Sequence, residues 1–141
     1  MSNMQSWKQN VGSIINYAER IFPEVEIVSR ALSGEIVKSN YGQVAKRAKK
    51  LGSSLEAYGI KHGQNVGSLA LNTYRNMEMY YGISGMGAVM HTINFRLHPE
   101  QVVYIINHAE NRIIFLETVF APLLEAIPVS YTHLTLPTNR E

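Results

Sequence analysis

The chain lacks both cysteine and aspartate: none of its 141 residues is Cys, and all 11 acidic residues are Glu. Without Cys there is no disulfide framework and no thiolate chemistry, and without Asp a Ser-His-Asp triad is excluded. An excess of one charge is also missing, since 13 Lys and Arg residues against 11 Glu give a net charge of +2. Basic residues are not concentrated into the stripe that is typical of nucleic-acid-binding proteins. We therefore predict no nucleic-acid partner.

Long apolar runs are absent as well. No stretch of the sequence approaches the length needed to span a bilayer. The first 20 residues do not place a long apolar run after a basic segment, as a secretory signal would. These absences predict a cytoplasmic protein without an integral membrane segment, and they leave contact with a membrane surface open.

Several motifs of catalysis and nucleotide binding are missing. The sequence contains neither the GxxxxGK[ST] phosphate loop nor a GxGxxG that follows a strand. Ser84 lies in the segment ISGMG, which is not the GxSxG of a nucleophile elbow. No two histidines have the HExxH spacing of a zinc helix; the histidines are His62, His91, His98, His108 and His133. The sequence thus predicts no catalytic residue, no cofactor-binding residue and no metal ligand in this chain.

The first 40 residues predict a helix followed by a hairpin. Apolar residues recur at helical spacing over Val11–Ile21, and Pro23 ends that helix. Glu26–Ser29 and Glu35–Lys38 are short and β-prone on either side of a turn at 32–34, which predicts two paired strands.

The clearest helix is predicted over Asn40–Tyr58. Asn40 and Gln43 form a capping-box pattern at its start, and Gly59 is a natural left-handed stop. One apolar stripe runs along this helix, made of Val44, Ala48, Leu51, Leu55 and Tyr58. A basic cluster lies mostly off the stripe, made of Lys46, Arg47, Lys49 and Lys50. We interpret the cluster as a solvated face; the alternative, a phosphate or nucleic-acid contact, lacks interleaved aromatic residues and a second basic element.

Strands and helices then alternate. Strands are predicted at Val66–Leu71, Val89–Ile93 and Arg112–Leu116. The helices after them are predicted from Asn72 or Thr73 to about Met86, from Pro99 onwards, and over Thr118–Ile127. Such alternation is typical of βαβ units, so the predicted fold class is α/β, with a parallel sheet flanked by helices on both faces.

Three details of these elements bear on function. Gly82, Gly85 and Gly87 stand near the end of a helix and before a strand, so we predict that they let the helix approach the sheet closely. His91 lies within an apolar strand, where a hydrogen-bonded core histidine is predicted rather than a ligand. His108 is expected to end a helix, where a cation suits the helix dipole.

The segment Asn72–Gln101 reads NTYRNMEMYYGISGMGAVMHTINFRLHPEQ. It resembles the N-terminal region of medium- and long-chain fatty-acyl-CoA ligases of the adenylate-forming superfamily, whose pattern is close to NTxRxxExY[YF][GA]xxGxGA[VIL]xHTxNPRLxPEQ. The segment 107–112, NHAENR, continues the resemblance, which spans roughly Val11–Ile127. The chain departs from the pattern at Phe95, where the family usually has Pro, and at Asn111, where it has Asp. Phe95 is expected to loosen a loop and expose an aromatic ring, whereas Asn111 removes a charge with little change of shape.

The resemblance implies the N-terminal subdomain of an AMP-forming acyl-CoA synthetase, with a sheet that is incomplete here. The full-length enzyme would use ATP, Mg²⁺ and CoA to convert a fatty acid to acyl-CoA through acyl-AMP. None of these is expected to bind this fragment, because the family's phosphate loop, magnesium-binding Glu and catalytic Lys lie downstream. Relatives include homodimers, and a fatty-acid substrate fits a cytoplasmic or membrane-peripheral enzyme. Asn94 and Arg96 follow a strand, but we interpret them as loop anchors, with Arg96 pairing a carboxylate or carbonyl.

The last residues carry a different resemblance. Residues 129–138, VSYTHLTLPT, are similar without a mismatch to one reading frame of a transposase-type DNA sequencing adaptor. This predicts a truncated N-terminal part of an AMP-binding (adenylation) domain at residues 1–128 and an adaptor-derived tail at 129–141, in which His133 has no function. The alternative is a real polar strand, since Thr and Tyr are β-prone.

Two further functions stay open on the sequence. One is a complete small α/β interaction module without enzymatic activity. The other is an aryl-CoA ligase of the same superfamily, which differs from a fatty-acid ligase only in the acid that it activates.

Overall fold

A computed structural model describes residues 10–125 of the chain. The elements are α1 (Val11–Ile21), β1 (Glu26–Arg30), β2 (Ile36–Asn40), α2 (Tyr41–Ala57), β3 (Asn65–Leu69), α3 (Tyr74–Gly85), β4 (Val89–Thr92), α4 (Pro99–His108), β5 (Ile113–Leu116), a 3₁₀ turn (Thr118–Phe120) and α5 (Ala121–Glu125). Each predicted strand and helix up to Leu116 is present with similar bounds. The last predicted helix is instead split, because a 3₁₀ turn precedes α5. Its predicted end at Ile127, like the predicted tail at 129–141, lies outside the described residues.

The strands form two separate sheets. β1 and β2 pair antiparallel, as the predicted hairpin requires. In the other sheet β3 lies between β4 and β5 and runs parallel to both, so that Gly67 is opposite His91 on one side and Ile114 on the other. The α/β class and the parallel sheet are therefore confirmed.

Helices cover both faces of the three-stranded sheet, because successive side chains of a strand point to opposite faces. Val66 and Ile113 pack into one apolar cluster with residues of α2 and α3. Leu69 and Ile114 point the other way, into a cluster built mainly on α4. Each layer thus supplies an apolar face to the strands. In residues 10–125 no helix has the length and apolar character needed to cross a bilayer.

The ends of α2 form largely as predicted. The Asn40 side chain accepts a hydrogen bond from the backbone N–H of Gln43 at 2.8 Å, and Gly59 follows the helix with a φ of +98°. Only half of the predicted capping box is present, since the Gln43 side chain accepts from the Ser39 hydroxyl at 3.1 Å instead of returning to the Asn40 backbone. The predicted stripe also ends early: Tyr58 is 59% exposed, because it lies beyond the last turn that packs on α3.

Glycines bring α2 and α3 together, which corrects their predicted role against the sheet. A methyl group added at Gly82 would lie 2.8 Å from the carbonyl oxygen of Ala48, and one added at Gly52 would lie 3.2 Å from that of Gly82. Gly85 faces Gly12 of α1 across a looser contact. Gly87 is required for its backbone, since its φ is +92°. The small residues therefore set helix–helix distances.

The substitution Gly82→Ala should destabilise the fold by about 1–3 kcal/mol, the usual cost of overpacking. The added methyl would meet backbone atoms of α2, which cannot move as a flexible side chain can. Gly85→Ala is the matched control, because nothing lies within less than 4.0 Å of its added methyl and Ala is favoured over Gly in helices. The measurement is the free energy of unfolding in urea. Equal stabilities of the two variants would contradict the close α2–α3 contact.

Candidate functional site

Three connecting segments meet at the carboxyl ends of the parallel strands, the edge where open α/β sheets bind ligands. The ladder continues past the strands, because the N–H of Ile93 donates to Ser68 O at 2.8 Å and the N–H of Glu117 donates to Leu69 O at 3.1 Å. The segments after β3, β4 and β5 are therefore neighbours. This edge is the candidate site.

The segment after β4 is ordered by an aromatic stack. Phe95 stacks on Phe120 with ring centroids 4.8 Å apart, and it packs against the apolar cluster under α4. The prediction that Phe95 exposes its ring is therefore wrong: the ring is half-buried, because the turn after β5 supplies a partner that the local sequence does not reveal. The stack joins the loops after β4 and β5.

Arg96 and Asn94 complete this loop. The Asn94 side chain accepts a hydrogen bond from the backbone N–H of Arg96 at 3.0 Å, which makes Asn94 the loop anchor that we predicted. The Arg96 guanidinium lies 5.5 Å from the centroid of the Phe95 ring. Among residues 10–125 the Arg96 side chain makes no ion pair with a carboxylate and no hydrogen bond to a carbonyl, so its predicted pairing with one of these is corrected to a cation–π contact. An exposed cation is thus held at the candidate site.

The segment between β3 and α3 is polar. Ser68, which is buried, donates to the Asn76 side chain at 3.3 Å, and Asn76 donates to the Asn72 side chain at 3.2 Å. Thr73 occupies the predicted N-cap position, but its side chain makes no capping hydrogen bond. Its hydroxyl oxygen is buried without a partner in the described part of the chain. The position of the cap was therefore predicted correctly, but the side-chain hydrogen bond of a capping residue is missing.

Glu117 brings a carboxylate to the same edge. It directly follows β5, and its Oε2 atom is buried with no hydrogen-bond partner among residues 10–125. Sequence analysis missed this residue, because a single Glu after an apolar strand carries no distinctive spacing. The edge therefore holds a cation, a carboxylate and a hydroxyl on three different segments, without a shared hydrogen-bond network between them in the described residues.

His91 lies within β4, opposite Gly67 of β3, and its side chain contacts Asn111. The side-chain Oδ1 and Nδ2 atoms of Asn111 lie 3.1 and 3.0 Å from His91 Nδ1, and Nδ2 also donates to Ile106 O at 3.2 Å. The predicted hydrogen bond is confirmed, although the ring is only half-buried because β4 pairs on one side alone within residues 10–125. Asn111 itself is buried. Its amide thus connects β4 with the end of α4. A carboxylate at this position would have no N–H group to donate to Ile106 O.

The other histidines lie apart from one another. His98 is the residue before α4, with Pro99 at the first helical position as predicted. His108 is the last residue of α4, where its ring stacks on Tyr104 at 5.4 Å. Within residues 10–125 no three His, Cys, Asp or Glu side chains are grouped so as to hold a metal ion. His133 lies outside the described residues.

The basic cluster of α2 is only partly a solvated face, which corrects the sequence interpretation. Arg47 Nε lies 2.6 Å from Glu78 Oε1 on α3. Lys49 pairs with Glu19 on α1. Two of the four cations therefore join α2 to its neighbouring helices, across sequence separations that a local pattern does not reveal.

Glu78 is unusual among these carboxylates because its side chain is only 10% exposed. Burial raises the pKa of Glu78 above its ordinary value of 4.5, although the hydrogen bond from Arg47 and the charges of Arg47 and Arg75 act to lower it. Burial prevails because Arg47 itself is 60% exposed, so that solvent weakens the attraction of the pair. Ionised Glu78 therefore lowers the stability of the folded protein.

Stability should fall as the pH rises above 4.5. Over the range between 4.5 and the raised pKa of Glu78, the unfolded chain loses a proton that the folded chain keeps, so deprotonation favours unfolding. Glu78→Gln should remove this fall, which is at most about 1.4 kcal/mol per pH unit for one proton. Urea unfolding at several pH values measures it. Glu19→Gln is the control, because it removes the carboxylate that pairs α1 with α2. The decrease of stability with rising pH should persist in this variant.

The substitution Asn111→Asp should destabilise the fold by about 1–3 kcal/mol, the usual cost of an unsatisfied buried polar group. It replaces the donor to Ile106 O by an oxygen, so that two acceptors face each other at a buried position. Asn94→Asp is the control, since Asn94 uses only its oxygen and is exposed. Thermal unfolding that shifts equally in both variants would contradict the assigned role of the Asn111 amide.

Comparison with known proteins places this fold in a family. The family model described as AMP-binding enzyme matches residues 20–137. The 3-methylmercaptopropionyl-CoA ligase of Ruegeria lacuscaerulensis is 44% identical over 83% of this chain and 22% of its own length. The long-chain-fatty-acid–CoA ligase of Thermus thermophilus is 38% identical over 89% of this chain and 23% of its own length. The chain thus spans less than a quarter of the length of these relatives.

Solved structures share the fold at lower identity. The N-terminal domain of FACL13 from Mycobacterium tuberculosis superposes with a TM-score of 0.80 at 23% identity, over 92% of this chain and 34% of that one. A fatty acyl CoA synthetase from the same organism gives 0.78 at 24% identity, over 90% of this chain and 26% of that one. The sheet with its flanking helices is therefore that of acyl-CoA synthetase N-terminal domains, and the chain belongs to the AMP-binding, adenylate-forming family of acyl-CoA ligases.

Proposed function

We propose that this chain is part of an AMP-forming fatty-acid–CoA ligase. The observation that carries the proposal is the family match over residues 20–137, together with four relatives of 38–45% identity that are named as CoA ligases. In such a reaction a carboxylate oxygen attacks the α-phosphorus of ATP and pyrophosphate leaves. The CoA sulfur then attacks the acyl carbonyl and AMP leaves.

The residues of this chain do not fit ATP–Mg²⁺ on their own. The sequence has no phosphate loop, and residues 10–125 hold no cluster of carboxylates or histidines for a metal ion. No step of the reaction is therefore assigned to this chain. Its proposed role is scaffold: the three-stranded sheet presents Arg96, Glu117 and Thr73 at one edge, toward parts of the enzyme that carry the chemistry.

The proposed substrate is an unbranched aliphatic acid, used with ATP and CoA. The relatives of highest coverage are named for 3-methylmercaptopropionate and for long- and medium-chain fatty acids. The second candidate, an aromatic acid, is favoured by the trans-cinnamate:CoA ligase of Petunia hybrida, which is 36% identical over 53% of this chain. Coverage therefore favours the aliphatic acid.

A small interaction module without enzymatic activity has less support, because the family match extends over most of the chain. The assignment of residues 129–141 as an adaptor-derived tail stays a prediction, and the family match runs into that segment.

Sequencing of the genomic locus tests the proposal. Beyond the codon for Ile127 the frame should continue into a Ser/Thr/Gly-rich loop that ends in Lys, as the adenylate-forming chemistry requires. The complete enzyme should then release pyrophosphate from ATP when given an aliphatic acid, whereas the 141-residue chain should not. A stop codon soon after Ile127, or turnover by the 141-residue chain, would overturn the proposal that this segment is an inactive part of a ligase.

A further inference from the structure

A groove between α1 and α2 is lined by three lysines, two of which have no carboxylate partner within residues 10–125. It is an open depression of about 640 Å³. Its lining residues are Glu19, Gly42, Lys46, Lys49, Lys50, Ser53 and Ser54. Except for Glu19, these residues belong to α2, where steps of three, four and seven positions bring side chains onto one side of a helix. The groove is remote in sequence from the segments of the candidate site.

The charges of the groove do not cancel. Lys49 pairs with Glu19, so one cation of the groove is satisfied. Lys46 and Lys50 are exposed and have no carboxylate partner within residues 10–125. They stand at i and i+4 on the helix, a spacing at which like charges repel and destabilise the helix. An anion bound between the two ammonium groups would relieve this repulsion.

Other features of the groove fit a phosphate group. Ser54 is engaged, because its hydroxyl donates to Lys50 O at 2.9 Å. Ser53 lines the groove, and its hydroxyl can donate to an anion. A compact ammonium group binds phosphate as a point charge, so two lysines and a hydroxyl can serve a phosphate ester without the fork geometry of Arg.

We infer that the groove between α1 and α2 binds a phosphate group through Lys46 and Lys50, with Ser53 as an additional donor. The ligand class is a phosphate ester or pyrophosphate, which can come from a free small molecule or from a phospholipid headgroup. The groove has no aromatic side chain on which the bases of a single-stranded nucleic acid could stack. The inference does not depend on the proposed ligase activity.

Lysine footprinting tests the inference residue by residue. The 141-residue chain and the complete enzyme are each acylated briefly at their amines, and the rate at every lysine is measured by mass spectrometry. One arm contains pyrophosphate against chloride of equal ionic strength, and the other contains phosphatidylglycerol vesicles against phosphatidylcholine vesicles. Lys46 and Lys50 should be labelled about threefold more slowly with the ligand, as expected at twice its Kd. Lys61, an exposed lysine outside the groove, is the reference and should keep its rate.

Two variants sharpen the test. Glu19→Gln frees Lys49 from its partner and should strengthen protection, whereas Lys46→Gln combined with Lys50→Gln should abolish protection of Lys49 in that background. Protection in the pyrophosphate arm identifies a free phosphate ligand, and protection in the vesicle arm alone identifies a headgroup. Unchanged labelling of Lys46 and Lys50 in both arms, or protection equal to that of Lys61, overturns the inference.

Discussion

The structure depends on the double burial of strand β3. Val66 and Leu69 point to opposite faces and are fully buried, one under α2 and α3 and the other under α4. Burial of each such side chain contributes about 1.5–3 kcal/mol. Hydrogen bonds to β4 and β5 hold both edges of the same strand. The two helix layers, α2 with α3 and α4, thus pack on opposite faces of a strand whose two edges are paired with β4 and β5.

One glycine in β3 makes this arrangement possible. A methyl group at Gly67 would lie 2.9 Å from Ile114 and 3.2 Å from Ile93, so the strand leaves room for the two apolar side chains that cross it. Asn111 approaches the same position at 3.4 Å. The absence of a side chain at the middle of the sheet therefore lets the α4 layer close over β3 and bring the Asn111 amide to His91.

Much of this fold could be predicted from the sequence, because its signals are local. The apolar stripe of α2, the cap at Asn40 and the left-handed Gly59 are each readable within a few residues. The features that were missed join distant segments: Arg47 reaches Glu78, Gly82 meets Ala48, and Phe95 finds Phe120. A local pattern indicates the conformation that each residue prefers, but it does not indicate which distant residue the fold brings into contact with it.

The candidate site was harder to predict for the same reason. Thr73, Arg96 and Glu117 follow three different strands, and only the parallel pairing of those strands makes them neighbours. None lies in a motif whose spacing implies chemistry. The family resemblance could be recognised because it is carried by scaffold residues, which recur along the chain in order. The chemistry of a ligase needs groups that converge in space, and the scaffold alone supplies only the edge at which they would meet.

The central position of β3 also has a consequence for synthesis on the ribosome. Both of its neighbours come later in the chain, so β3 leaves the exit tunnel as an apolar strand with neither edge paired. α2 precedes β3 and α3 follows it, so both helices that pack on one face of β3 leave the tunnel before β4 does. The order of elements therefore makes a helix layer available to cover β3 during the interval in which this central strand has no paired neighbour.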